Sequence, residues 1–150
     1  MSQRITIIDY GIGNLWSVCS ALRYLGHNPV VSSTPSEIAN ADVLILPGVG
    51  SFRTAMLALR DNRLDEAILE AVVGKGHKIM GICLGMQLLA MHSTEDGETK
   101  GLGLIPTEVE RFEVATMGCL KVPHIGFNEV CSQDQSILFK DIAPSSDFYF

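Results

Sequence analysis

The chain has no apolar run of the roughly 18 to 20 residues that a membrane span requires, and it has no cluster of lysine and arginine. Its 17 acidic residues outnumber 11 basic ones, giving a net charge of −6, so neither nucleic acid nor an anionic membrane is an expected partner. Only four residues, Ile5 to Ile8, form the apolar run after Arg4, too few for a secretory signal. The four cysteines, Cys19, Cys83, Cys119 and Cys131, lack the close spacing of a disulfide framework or a zinc site. His27, His77, His92 and His124 are scattered singly. Free thiols, no metal, no cofactor and a cytoplasmic location are the expectations. Repeats, low-complexity tracts and an interdomain linker are also missing. A length of 150 residues with 47% hydrophobic content then suits one soluble globular domain, residues 1–150.

What is present alternates. Ile5-Thr6-Ile7-Ile8 reads as a buried strand, and Asp9 to Gly13 as a tight turn. Leu15, Val18, Cys19, Leu22 and Leu25 then form one apolar helix face, with Asn14 as N-cap and Gly26 as stop. Gly11 and Gly13 lack the third glycine of a dinucleotide fingerprint. Strand patterns recur at Pro29–Val31 and Val43–Leu46, with a short helix over 35–41 between them. The turn Pro47-Gly48-Val49-Gly50 follows, then a helix over 51–59 and an apolar stripe at Leu64, Ala67, Ile68, Ala71 and Val72. Such alternation predicts an α/β fold of three layers, a mostly parallel sheet covered on both faces, with sites at the carboxyl ends of the strands. Residues 93–103 read as a loop, and strand signals return near 122–128 and 147–150.

The chemistry concentrates at residues 78–91, KIMGICLGMQLLAM, which read as strand, sharp turn and amphipathic helix. Gly81-Ile82-Cys83-Leu84-Gly85 fixes only three positions, and a lone cysteine is more often a core residue than a nucleophile. The setting reverses that preference. A thiol on a strained strand-to-helix turn is exposed above a helix amino terminus, whose N–H groups and dipole favour thiolate and can hold an oxyanion. A parallel sheet would set the Gly48–Gly50 turn beside it.

Gly48-Val49-Gly50, Cys83-Leu84-Gly85-Met86-Gln87 and Pro123-His124-Ile125-Gly126-Phe127-Asn128, with Asp9 to Asn14 near the start, resemble the class I glutamine amidotransferases. The likeness is to the glutaminase subunits of imidazole glycerol phosphate synthase and runs the length of the chain. It implies a Cys-His-Glu triad that hydrolyses glutamine to glutamate and ammonia, with Cys83 as nucleophile. Gly48, Val49, Gly50 and Leu84 would form the oxyanion hole, and Gln87 and Glu95 would bind glutamine. His124, Gly126, Phe127 and Asn128 would face a synthase subunit with a barrel fold, the partner in a heterodimer that receives the ammonia for histidine biosynthesis.

The resemblance places the family's catalytic histidine and glutamate beyond Phe150, so the fold is expected to be incomplete at its carboxyl end and these residues alone inactive or severely impaired. Phe127 stands where the histidine-pathway subunits usually carry tryptophan. Two other readings therefore stay open: a non-catalytic interaction module of the same fold, and a related glutaminase feeding ammonia to surface-sugar biosynthesis. Gln87 and Gly48 to Gly50 favour the amidotransferase glutaminase over a DJ-1-like protein, which also places a cysteine at a strand-to-helix turn.

Overall fold

The computed structural model describes residues 4–112, 123–131 and 139–150. The chain divides into two compact units, Met1–Arg111 and Phe112–Phe150. In the first, β1 (Ile5–Ile8) leads into α1 (Leu15–Tyr24). Asn14 caps that helix by accepting the Ser17 N–H at 3.1 Å, and the chain leaves it through Gly26 at φ 84°, a left-handed conformation that glycine adopts without strain. β2 (Val30–Ser32), α2 (Pro35–Ala39), β3 (Val43–Gly48), α3 (Phe52–Asp61) and α4 (Leu64–Leu69) follow. α4 runs on into a π turn, Glu70–Gly74. β4 (Lys78–Cys83) and α5 (Leu84–Gln87) complete the alternation.

The four strands form a parallel sheet in the order β2-β1-β3-β4. Because side chains alternate along a strand, its two faces carry separate cores. Ile8, Leu44 and Leu46 point to a large cluster with Ile38, Phe52, Met56, Leu59, Leu64 and Ile68 from α2, α3 and α4. Ile7 and Ile45 point the other way, against Cys19 and the half-buried Leu15, Val18 and Leu22 of α1. Each fully buried leucine or isoleucine contributes ~1.5–3 kcal/mol by leaving water. The expected helix on each face is therefore present, and every strand delivers its carboxyl end to the same edge.

Two sequence expectations fail just past that edge. The helix expected to continue to residue 91 stops after a single turn, at Gln87. The carbonyls of Leu88, Leu89 and Ala90 are instead taken by the N–H groups of Leu102, Leu104 and Gly103, at 2.8 to 2.9 Å, so the chain leaves the helical path. The segment read as a loop, 93–103, instead contributes to a small sheet that reaches past it on both sides: β5 (His92–Ser93) pairs antiparallel with β6 (Thr99–Lys100) and parallel with β7 (Glu108–Val109). No helix among the described residues is long and apolar enough to cross a membrane.

The second unit contains an antiparallel hairpin of β8 (Phe127–Cys131) and β9 (Ser145–Tyr149). Gly126 and Phe150 extend it by exchanging backbone hydrogen bonds of 3.1 and 2.8 Å. Of the strand signals near 122–128 and 147–150, Phe127 and Asn128 fall in β8 and Asp147 to Tyr149 in β9; Pro123 to Gly126 precede the strand and Val122 lies outside the described residues.

Candidate active site

Cys83 closes β4 and caps α5 with φ 54° and ψ −120°. A non-glycine residue there is strained by ~1–3 kcal/mol, and the surrounding packing has to hold it. Glycines on either side supply that packing. A Cβ on Gly85 would lie 1.8 Å from the Leu46 carbonyl oxygen, and one on Gly81 would lie 2.3 Å from the Met86 Cα. Only hydrogen at both positions lets α5 press against the ends of β3 and β4. The sharp turn expected from the glycine spacing is thus a consequence of close backbone approach, and it leaves Cys83 exposed.

The sheet register sets Gly48 directly opposite Cys83. Gly48 is buried, with its α-carbon hydrogen aimed at the Tyr10 hydroxyl and the Gly85 nitrogen, 2.6 and 2.9 Å from where a Cβ would stand. Val49 and Gly50 follow into solvent, Gly50 at φ 90°. Leu84 opens α5 with its side chain buried, and the N–H groups of a first helical turn have no partner within the helix. A helix of one turn has a far smaller dipole than the longer helix the sequence suggested, so the local N–H groups carry the electrostatic role.

Gln87 ends the same turn and is half-buried. Glu95 sits at the exposed tip between β5 and β6, its N–H donating to Ser93 Oγ at 3.1 Å. That tip is tied to the start of α3 just after Gly50: Ser51 Oγ donates to Asp96 at 2.6 Å, and Arg53 Nε donates to Thr99 at 3.2 Å. The structure therefore collects Cys83, Leu84, Gly48, Val49, Gly50 and Gln87 at one edge, and anchors the tip carrying Glu95 to the helix that follows Gly50. The sequence reading missed Ser51 and Asp96; neither has a spacing signal, since they are 45 positions apart.

In the second unit, the Asn128 amide lies 2.5 Å from His124 Nε2, and Phe127 stands exposed with its ring edge-on to Tyr149, 5.2 Å between centroids. Cys131 is exposed and Cys19 buried, so exposure separates Cys83 from Cys19 but not from Cys131. Cys119 lies outside the described residues. No group of three His, Cys, Asp or Glu among the described residues is placed to hold a metal.

With strands of one direction delivering a strained cysteine opposite a glycine turn, the comparisons with known proteins agree on a class. The chain belongs to the class-I glutamine amidotransferases, whose family description matches residues 6–150. Within that class its similarity is to one kind of subunit. It is 43% identical over 148 residues to imidazole glycerol phosphate synthase subunit HisH 1 of Parasynechococcus marenigrum, covering 99% of this chain and 70% of that protein. It is 46% identical to subunit HisH of Chlorobaculum tepidum, covering 97% and 71%, and 47% identical to that of Moorella thermoacetica, covering 97% and 67%. A crystal structure of a glutamine amidotransferase shares the fold with a TM-score of 0.66 at 21% identity, over 83% of this chain and 62% of that one.

Proposed function

We propose that the chain is the glutaminase subunit of an imidazole glycerol phosphate synthase, with Cys83 as its nucleophile. The observation that carries this is the strained Cys83 elbow set in register against Gly48, within a chain 43 to 47% identical to HisH subunits. The Cys83 thiolate attacks the side-chain amide carbon of glutamine, and the carbonyl electron pair moves onto oxygen. N–H groups of Leu84 and of the Gly48–Gly50 turn hold that oxyanion. Collapse breaks the C–N bond and leaves a glutamyl thioester, with ammonia departing once it gains a proton. Water then adds to the thioester, releasing glutamate and the thiol. Gln87 and Glu95 hold the amino-acid end of the substrate. The ammonia passes to a synthase subunit of barrel fold, which docks on the surface bearing His124, Gly126, Phe127 and Asn128.

The proton transfers need a base within about 3 Å of the thiol or one water away. His77 precedes β4, so six residues at ~3.3 Å each hold it roughly 20 Å from Cys83. His92 lies in β5, 3.4 Å from Glu108, and His27 precedes β2 at the opposite edge of the sheet. His124 is assigned to the partner surface. From the family resemblance, the histidine and glutamate of the triad are proposed to come from sequence outside these 150 residues, which alone would turn glutamine over poorly or not at all. The full-length gene product assembled with its synthase subunit tests the reading. Cys83→Ala should abolish glutamine-dependent synthesis and leave synthesis from ammonium salt intact. Unchanged glutamine use would sink the assignment, and loss of both would mean that the substitution breaks assembly.

A further inference from the structure

The turn from Asp9 to Asn14 lies against the strand end that faces Cys83. The Tyr10 hydroxyl donates to the Pro47 carbonyl at 2.9 Å, while the Tyr10 ring is only 5% exposed. The same hydroxyl fills the space where Gly48 would carry a Cβ. Gly13, at φ 135°, abuts the next atoms, with its Cβ position 3.5 Å from the Pro47 carbonyl carbon and 3.6 Å from the Gly48 nitrogen. Asp9 in turn fixes the turn by accepting the Gly11 N–H at 3.0 Å and by donating its own N–H to the Ser32 carbonyl at 2.9 Å.

We propose that Tyr10 is a positioning residue for the oxyanion hole, its buried hydroxyl fixing the Pro47–Gly48 peptide and so the direction in which the Val49–Gly50 turn presents its N–H groups. The inference rests on the glutaminase reading. A peptide is planar, so holding the Pro47 oxygen also sets the Gly48 nitrogen and leaves the turn only its soft dihedrals from Gly48 onward. A donor that is already aimed costs no reorganisation when charge forms on the substrate oxygen. Burial pushes the Tyr10 hydroxyl up to about 12, so it stays protonated and a donor at any pH where the enzyme works.

The test uses the full-length chain with its synthase subunit and two reagents that both react at Cys83. A γ-glutamyl aldehyde receives the thiolate at its carbonyl carbon, and its electron pair becomes a tetrahedral oxyanion with no leaving group. Iodoacetamide alkylates the same sulfur by displacement of iodide and forms no oxyanion. In Tyr10→Phe, kcat for glutamine hydrolysis and affinity for the aldehyde should both fall about 10-fold, less than the ~100-fold or more lost with a direct oxyanion donor. KM should move less than about 2-fold and the iodoacetamide rate should be unchanged, as expected when only transition-state binding is lost. Equal aldehyde affinity in the two proteins, or a matching fall in iodoacetamide rate, overturns the proposal. Should the Phe variant not fold, 3-fluorotyrosine and p-aminophenylalanine at position 10 keep the ring and grade the donor. Aldehyde affinity must then track donor strength, and a flat series overturns the role. A wild-type protein that does not take the aldehyde at Cys83 refutes the glutaminase reading itself, which separates the two failures.

Discussion

Gly85→Ala is the smallest change that should dismantle the elbow. The added methyl would stand 1.8 Å from the Leu46 oxygen and 2.7 Å from its carbonyl carbon, and bringing the first contact even to 3.0 Å takes 1.2 Å of movement. Neither neighbour can swing aside, because both are backbone atoms of a buried strand. α5 has to move instead, and Gly81 against Met86 limits its retreat. Overpacking of this kind costs ~1–3 kcal/mol, so the denaturation midpoint should drop with little change in slope. The same shift carries the Leu84 N–H and the Cys83 sulfur, and a ~1 Å misplacement of reacting groups costs roughly 100-fold in rate. Guanidinium unfolding of the chain and glutamine turnover by the full-length complex measure the two effects. Gly74→Ala is the control: its nearest atom is Glu70 Cγ at 3.8 Å, so alanine should be neutral or stabilise by ~0.5–1 kcal/mol. If Gly85→Ala matched that control in both assays, the claim that glycine permits the elbow by close approach would be wrong.

Two further outcomes follow from the same site. Tyr10 has its hydroxyl raised from 10.0 to about 12 by burial, so its contribution to stability is complete below pH 10 and is lost as pH rises from about 10 to about 12. The stability difference between wild type and Tyr10→Phe should therefore shrink across that window, and a constant difference would contradict the burial of the hydroxyl. Asp96→Ala removes one of the two bonds that hold the Glu95 tip to α3, and Ser51→Ala removes the same bond together with the N-cap of α3; an exposed hydrogen bond contributes ~0.5–1.5 kcal/mol, so KM for glutamine should rise about 2- to 10-fold in Asp96→Ala with kcat held. The double variant should cost no more than Ser51→Ala alone, and additive losses would show that the two side chains act separately.

The central sheet was legible because its signals are local: β-branched runs, an asparagine cap and helix-period stripes each announce themselves within ten residues. The pairing of Gly48 with Cys83 was legible one step later, since parallel strands must end at a common edge. What escaped were features decided by distant backbone. α5 ends early because residues 102–104 take the carbonyls of Leu88, Leu89 and Ala90 just beyond it, and nothing within KIMGICLGMQLLAM signals that competition. His92, one residue past the segment expected to be helical, consequently belongs to a strand paired with Lys100 and Glu108. Tyr10 looked like an ordinary turn residue; its role depends on a contact 37 positions away.

The glutamyl thioester is the most direct test. Full-length chain and synthase subunit are mixed with glutamine, quenched in acid within one turnover and digested, and the acylated peptide is mapped by mass. The account predicts a glutamyl adduct on the peptide carrying Cys83, absent in Cys83→Ala. An adduct on Cys131, or glutamate release with no acylated thiol at any quench time, would contradict it.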